Sequence, residues 1–149
     1  YKGGVPEFCT KLRYHPREGY GVQGLLEAGG RLGRTRSLIF LVSDFHLPNA
    51  DIVEVLGRLA RHDVVPVVLW DPAEYETLPD FGLMVLMDPE TGEKRRLWMR
   101  PKLRDAFKRE FDRRKLELEG LMACLGRKPI FLSTEFVADD LTRYFLEGV

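Results

Sequence analysis

Two aspartates close the longest apolar runs of this 149-residue chain. Asp44 follows Leu38-Ile39-Phe40-Leu41-Val42-Ser43, Asp71 follows Val64-Val65-Pro66-Val67-Val68-Leu69-Trp70, and Glu74 and Asp80 stand a little further on. If both runs are parallel strands, these carboxylates gather at one sheet edge, where α/β domains bind ligands. Carboxylates there could hold Mg²⁺, an oxygen-seeking ion, and would suit a Mg²⁺-dependent phosphate-transfer enzyme or nuclease using Asp44, Asp71 and Glu74. The plainer reading is that both aspartates accept hydrogen bonds from the N–H groups of the turns they open. His46 lies two residues past the first strand end but has no nucleophile nearby in sequence, so it reads as a loop residue. Cys9 and Cys124 have neither metal-ligand nor disulfide spacing. No serine sits in a nucleophile elbow and no phosphate loop is followed by lysine. Gly19, Gly21 and Gly24 match the spacing of a dinucleotide fingerprint but follow no buried parallel strand. Nucleophilic catalysis therefore has no support, and the chain is expected to be no enzyme and to need no cofactor.

The elements that must position these residues follow from hydrophobic period. Phe8 to Tyr14 alternate as a short edge strand would, and His15-Pro16-Arg17-Glu18-Gly19 reads as a turn. Residues 21–33 carry a helical stripe weakened by glycines such as Gly21, Gly24, Gly29 and Gly30. The run from Leu38 to Val42 predicts a parallel strand buried on both faces. Asn49 or Asp51 can open a helix to about His62, and Val64 to Trp70 form the next strand, completing a βαβ unit. Residues 83–87 and 94–99 flank Asp88-Pro89-Glu90-Thr91-Gly92, which predicts a hairpin. Pro101 suits the first position of a long helix ending at Gly126. Leu103, Phe107, Phe111, Leu118, Leu121, Met122 and Leu125 line its apolar side, and Cys124 falls close to that side, where a cysteine is expected as a small buried hydrophobe. A strand at 130–132, a cap at Ser133 or Thr134 and a helix over 136–146 close the chain. The expected fold is α/β: one domain over 1–149 with a mostly parallel sheet, flanking helices and a β-hairpin insertion.

Composition bounds the partners. With 23 basic and 23 acidic side chains the formal charge is zero, which gives no net attraction for nucleic acid. The apolar runs are too short to cross a bilayer, so this segment is not expected to insert into a membrane. Cysteine usage fits a reducing compartment and a cytoplasmic location. The zero conceals unlike blocks. Residues 44–93 hold eleven acids and two arginines, whereas 94–115 hold eleven bases and three acids. The basic stretch reads as a solvated helix face laced by pairs such as Asp105–Arg109 and Glu110–Arg114 at i,i+4 spacing. Its aromatics, Trp98, Phe107 and Phe111, are expected on the core side.

A series of short motifs adds a family resemblance. Leu41-Val42-Ser43-Asp44-Phe45 is followed by Leu59-Ala60-Arg61-His62-Asp63-Val64-Val65 and Asp71-Pro72-Ala73-Glu74. Next come Leu78-Pro79-Asp80-Phe81-Gly82, Asp88-Pro89-Glu90-Thr91-Gly92-Glu93, and Leu132-Ser133-Thr134 before a short last helix. In this order they resemble the von Willebrand factor A-like C-terminal region of the bacterial domain of unknown function 58 family, over about residues 16–149. The resemblance implies a Rossmann-like fold whose first central strand lies outside this sequence, in keeping with a chain that opens at Tyr1. It also implies a partnership with a MoxR-type AAA+ ATPase. Asp44 is similar in position to the last aspartate of the metal-ion-dependent adhesion site of von Willebrand A domains. The Asp-x-Ser-x-Ser motif of that site is absent, so a metal site at Asp44 is incomplete.

The expectation is a non-enzymatic protein-interaction module from a longer bacterial protein. Its working edge comprises Asp44 to Asn49, Asp71 to Asp80 and Ser133 to Glu135, with Asp44, His46, Asp71, Glu74, Asp80 and Thr134 as candidate contacts. Without a first central strand, the strand at 38–42 presents an open edge through which copies of the chain could pair into a homo-oligomer.

Overall fold

The computed structural model describes residues 22–72, 75, 77–87, 92–133 and 137–146. The order is α1 (Gln23–Arg31), β1 (Leu38–Ser43), α2 (Asn49–Arg58), β2 (Asp63–Leu69), β3 (Gly82–Met87), β4 (Lys94–Met99), α3 (Pro101–Cys124), β5 (Ile130–Leu132) and α4 (Ala138–Leu146). Strands β1, β2 and β5 form a parallel sheet with β2 in the middle, and β3 pairs with β4 as a separate antiparallel hairpin. The mixed α/β class, the βαβ unit and the hairpin thus follow the sequence pattern. The edge strand expected at 8–14, the 15–19 turn and the start of the glycine-rich helix lie outside the described residues.

The valine run of β2 shows why it takes the centre. Val64 and Val68 point into the main core, whereas Val65 and Val67 point to the other face beside Tyr144. Both faces are covered, as β-branched residues without polar alternation require. The main core joins Leu41, Phe45, Ile52, Val55, Leu56, Leu59 and Trp70 to Leu26 of α1 and to Leu118 and Met122 of α3. Despite its glycines α1 is helical, and a Cβ at Gly29 would stand in ordinary contact with Arg58 and Leu59 at the end of α2, 3.5 Å away.

Strand β1 departs from expectation. It alternates instead of being buried on both faces: Leu41 is buried, but Leu38, Phe40 and Val42 are 52%, 43% and 54% exposed. Helices cover one face of β1, while α4, through Phe145 against Phe40 at 6.5 Å between ring centroids, reaches the other. Among the described strands β1 pairs with β2 alone.

Helix boundaries follow local chemistry. α2 ends at Arg58, earlier than expected, because Leu59 turns out of helical geometry and His62 N–H closes a turn on the Leu59 carbonyl. α3 begins at Pro101, which lacks only an N–H that the first turn does not use. Its end is stopped at Gly126, whose φ of +66° favours glycine. Cys124, expected to be buried, is exposed on the last turn of α3, and Trp98, expected on the core side, stands half-exposed on β4.

Candidate functional site: a clamped loop at the strand ends

At the end of β1 the chain makes a tight, self-bonded turn. Asp44 Oδ1 accepts the His46 N–H at 3.2 Å and the Ser43 hydroxyl at 3.4 Å, while Ser43 Oγ accepts the Phe45 N–H at 3.0 Å. Asp44 therefore does the work of a turn cap, the plainer of its two readings. Between these bonds Phe45 adopts φ +52°, a left-handed value uncommon for a bulky side chain. Its ring is buried in the core at 2% exposure, and this anchoring balances the backbone cost. From β2, the Trp70 indole N–H donates to the Asp44 carbonyl at 2.8 Å, tying the two strand ends together. His46 stacks over Trp70 with centroids 6.1 Å apart and planes 14° from parallel.

The loop after this turn is held from below by α3. Arg114 donates to the carbonyls of Phe45 at 3.0 Å and Leu47 at 2.7 Å, to Asn49 Oδ1 at 2.5 Å and to Glu117 Oε2 at 3.2 Å. The Asn49 amide closes the ring by donating to Glu117 Oε1 at 2.7 Å. The Asn49 amide, together with the Arg114 guanidinium, holds the Glu117 carboxyl below the usual carboxylate range. A planar guanidinium with several fixed donors suits such a task, since it can satisfy two carbonyls and a carboxylate together. Above the clamp lies a cavity of about 350 Å³ lined by His46, Leu47, Tyr75, Phe107, Glu110, Phe111 and Arg114. Tyr75 stacks on Phe111 at 3.6 Å and Phe111 meets Trp70 at 4.2 Å, so aromatic rings form much of its wall.

The expected contact residues separate in space. Asp44 and His46 sit at the cavity edge, and Asp71 follows Trp70 at the neighbouring strand end on the surface. Asp80 pairs with Arg104 of α3, bracing the base of the hairpin. Glu74 and Thr134 lie outside the described residues. Among the described residues no three His, Cys, Asp or Glu side chains converge to hold a metal ion. Asp44 Oδ1 is instead engaged within its own turn, by the His46 N–H and the Ser43 hydroxyl.

Sequence reasoning missed Arg114 and Glu117 as site residues; Asn49 and Tyr75 fall within the expected working edge but were not singled out as contacts. The ion pairs of α3 also differ from those expected: Arg113 joins Glu110 at 2.5 Å and Glu117 at 3.5 Å, and Arg104 joins Asp105 at 2.9 Å. Among the described residues, the salt-bridge partner of Arg114 is Glu117, one turn on, and not Glu110. Arg114 is thus taken out of the solvated row. A signal for this existed, because Phe107, Phe111, Arg114, Leu118 and Met122 recur at spacings of four, three, four and four, which places Arg114 on the buried stripe.

Comparison with known proteins places this architecture. An uncharacterised protein of Mycobacterium avium is 32% identical over 131 residues, covering 83% of this chain and 76% of that protein. An uncharacterised protein of Mycobacterium tuberculosis is 36% identical over 98 residues, 63% of this chain but only 31% of the relative, so the chain spans under a third of that protein's length. A Paracoccus denitrificans protein named as an uncharacterised protein in the moxR 3′ region is 31% identical over 99 residues, 66% of this chain and 94% of that protein. No solved structure matches the chain. The model of the family described as protein of unknown function DUF58 matches residues 9–117, and the chain belongs to that family.

Proposed function

We propose that the chain is a non-enzymatic protein-interaction module of a cytoplasmic bacterial protein, with a von Willebrand A-like, Rossmann-type sheet, and that it works with a MoxR-type AAA+ ATPase. The observation that carries this reading is the clamped 44–49 loop beside an aromatic cavity at the strand ends. The Arg114 network fixes a rigid, shaped surface where α/β sheets bind their ligands. Pre-organisation of this kind lowers the ordering cost of binding. The Paracoccus relative, named for its place in a moxR 3′ region, points to the class of partner. The outer edge of β1, unpaired among the described strands, offers a second means of association, since such an edge can accept a strand from a partner or from another copy.

The test is titration calorimetry of the full chain against a MoxR-type AAA+ ATPase from the same organism. Binding should weaken at least tenfold when His46→Ala and Asp71→Ala are combined. Unchanged affinity in that variant would refute the surface, and no binding by the parent chain would refute the partnership. Stoichiometric Mn²⁺ binding lost in Asp44→Asn would instead favour a metal-dependent phosphate-transfer enzyme.

A further inference from the structure

The β3–β4 hairpin carries apolar side chains on both of its faces. Strand side chains alternate between faces, and the register pairs Leu83 with Trp98, Val85 with Arg96 and Met87 with Lys94 on one of them. That face is the solvent face: Leu83, Val85, Met87 and Trp98 are 61%, 52%, 60% and 50% exposed. The opposite face carries Met84, Leu86 and Leu97, all half-buried, with Met99 completely buried. An antiparallel ribbon with one wet side normally puts polar residues there. Here an aliphatic row runs beside a row holding Lys94 and Arg96, and Phe81 extends the patch edge-to-face against Trp98 at 5.6 Å. Among the described residues neither Lys94 nor Arg96 has an ion-pair partner, whereas neighbouring Arg95 meets Glu93.

We propose that this hairpin face docks an amphipathic segment of a partner protein whose aliphatic side chains alternate with Asp or Glu. This rests on reading the chain as an interaction module but not on the strand-end cavity. Charge complementarity supplies the partner's acids, which would sit over Lys94 and Arg96 while its aliphatic groups cover Leu83, Val85 and Met87. Size supplies the rest. Two six-residue strands present roughly 20 Å by 10 Å, far below the ~800 Å² per partner of a stable globular interface, so the occupant is a short segment and not a second copy. A symmetric pairing of two such faces would also bring their unpaired cations together. The turn sequence joining the strands holds Asp88 and Glu90, with Glu93 beside them. Glu93, paired with Arg95 next to these cations, would oppose a planar anionic membrane or a nucleic-acid backbone, while a segment can seat its carboxylates past it.

The experiment uses the full chain and a fluorescein-labelled peptide of three Leu-Glu repeats, read by anisotropy and by the emission of Trp98, the exposed one of the two tryptophans. Saturable binding should blue-shift the exposed emission and weaken at least tenfold in both Val85→Ser and Arg96→Ser, with the unfolding midpoints of both variants kept. Three Leu-Lys or three Ser-Glu repeats should bind at least tenfold less well. Equal binding of the Ser-Glu peptide, affinity unchanged in either variant, or no binding of the Leu-Glu peptide would overturn the proposal. So would preferential binding of phosphatidylglycerol vesicles or of a single-stranded oligonucleotide. The His46→Ala/Asp71→Ala variant should keep peptide binding while losing the ATPase, so the two readings fail separately.

Discussion

Arg114 and Arg113 are adjacent on α3, and the structure assigns them opposite importance. The Arg114 side chain is 18% exposed against 61% for Arg113. Truncating Arg114 to alanine removes donors to the Phe45 and Leu47 carbonyls and to Asn49 and Glu117. Bonds from a charged donor contribute about 1.5–3 kcal/mol each, and neighbouring bonds are not additive. Water entering the partly open site replaces some of what is lost, which sets the expected cost of Arg114→Ala at about 2–4 kcal/mol. For a chain of this size that lowers the unfolding midpoint by roughly 5–15 °C. Arg113→Ala removes only exposed contacts and should leave the midpoint unresolved from the parent. Arg114→Lys keeps the charge but not the fork, so it should restore no more than about half of the loss.

Urea and thermal unfolding read the effect through Trp70, which is buried, bonded to the Asp44 carbonyl and stacked beneath His46. Placing the substitutions in a Trp98→Phe background isolates that signal. If Arg114→Ala and Arg113→Ala unfold at the same urea concentration with the same slope, the clamp contributes nothing and the argument from geometry fails. Hydrogen exchange adds a local check: amides of the 45–49 loop should exchange faster in Arg114→Ala, while those of β2 keep their protection until global unfolding.

Three further outcomes follow from the same structure. Because the Glu117 carboxyl is held below the ordinary carboxylate range in the folded state, its stabilising contribution is complete above the unfolded value of about 4.3 and is lost as pH falls through the lower folded value. An acid titration of stability should therefore flatten in that window in Glu117→Gln, and an unchanged profile would contradict the assignment. Gly126→Ala places a Cβ at φ +66°, so it should cost about 1 kcal/mol in urea unfolding; a neutral effect would mean that the α3 terminus rearranges. Asp80→Ala releases Arg104 from the base of the hairpin, so β3 and β4 amides should exchange faster with β1 and β2 unaffected. Uniform change across both sheets would refute the brace.

The strand-helix-strand order, the pairing of β3 with β4 and the Pro101 start were legible because each rests on local chemistry, namely apolar period, flanking turn-forming residues and a missing N–H. What was not legible depends on what lies opposite a residue in space. Leu38 to Val42 and Val64 to Trp70 look alike in sequence, yet β2 is covered on both faces and β1 on one. Composition records that a strand is apolar, not whether anything covers it. Arg114 was hidden for a related reason. Within a row of eleven bases, i,i+4 spacing with Glu110 suggested a surface pair, and the competing evidence that Arg114 continues the Phe107–Phe111 stripe requires weighing one face of the helix against another. Asp80 was grouped with the strand-end acids by sequence distance from β2, although its partner Arg104 stands on a helix more than twenty residues later.

Folding also dissolves the contrast between an acidic block and a basic one. Asp63 lies at the opposite end of β2 from Asp71 and forms a fork with Arg36 at 2.6 and 3.0 Å. That guanidinium, bonded to it directly, holds the Asp63 carboxyl below its ordinary range. Glu54 meets Arg58 on α2, and Asp80 meets Arg104. Among the described residues, the strand-end surface is marked by aromatic walls and a loop whose carbonyls are already engaged from beneath. The hairpin face, in contrast, retains cations without ion-pair partners among the described residues. Recognition at the first should depend on shape and apolar contact, and at the second on charge as well. Raising the salt from 0.05 to 0.5 M shortens the screening length to roughly a third. The AAA+ partner's affinity at the strand ends should then change less than threefold, whereas the acidic peptide should lose at least tenfold at the hairpin. Equal salt dependence at both surfaces would show that the pairing of acids with arginines does not set their chemistry apart.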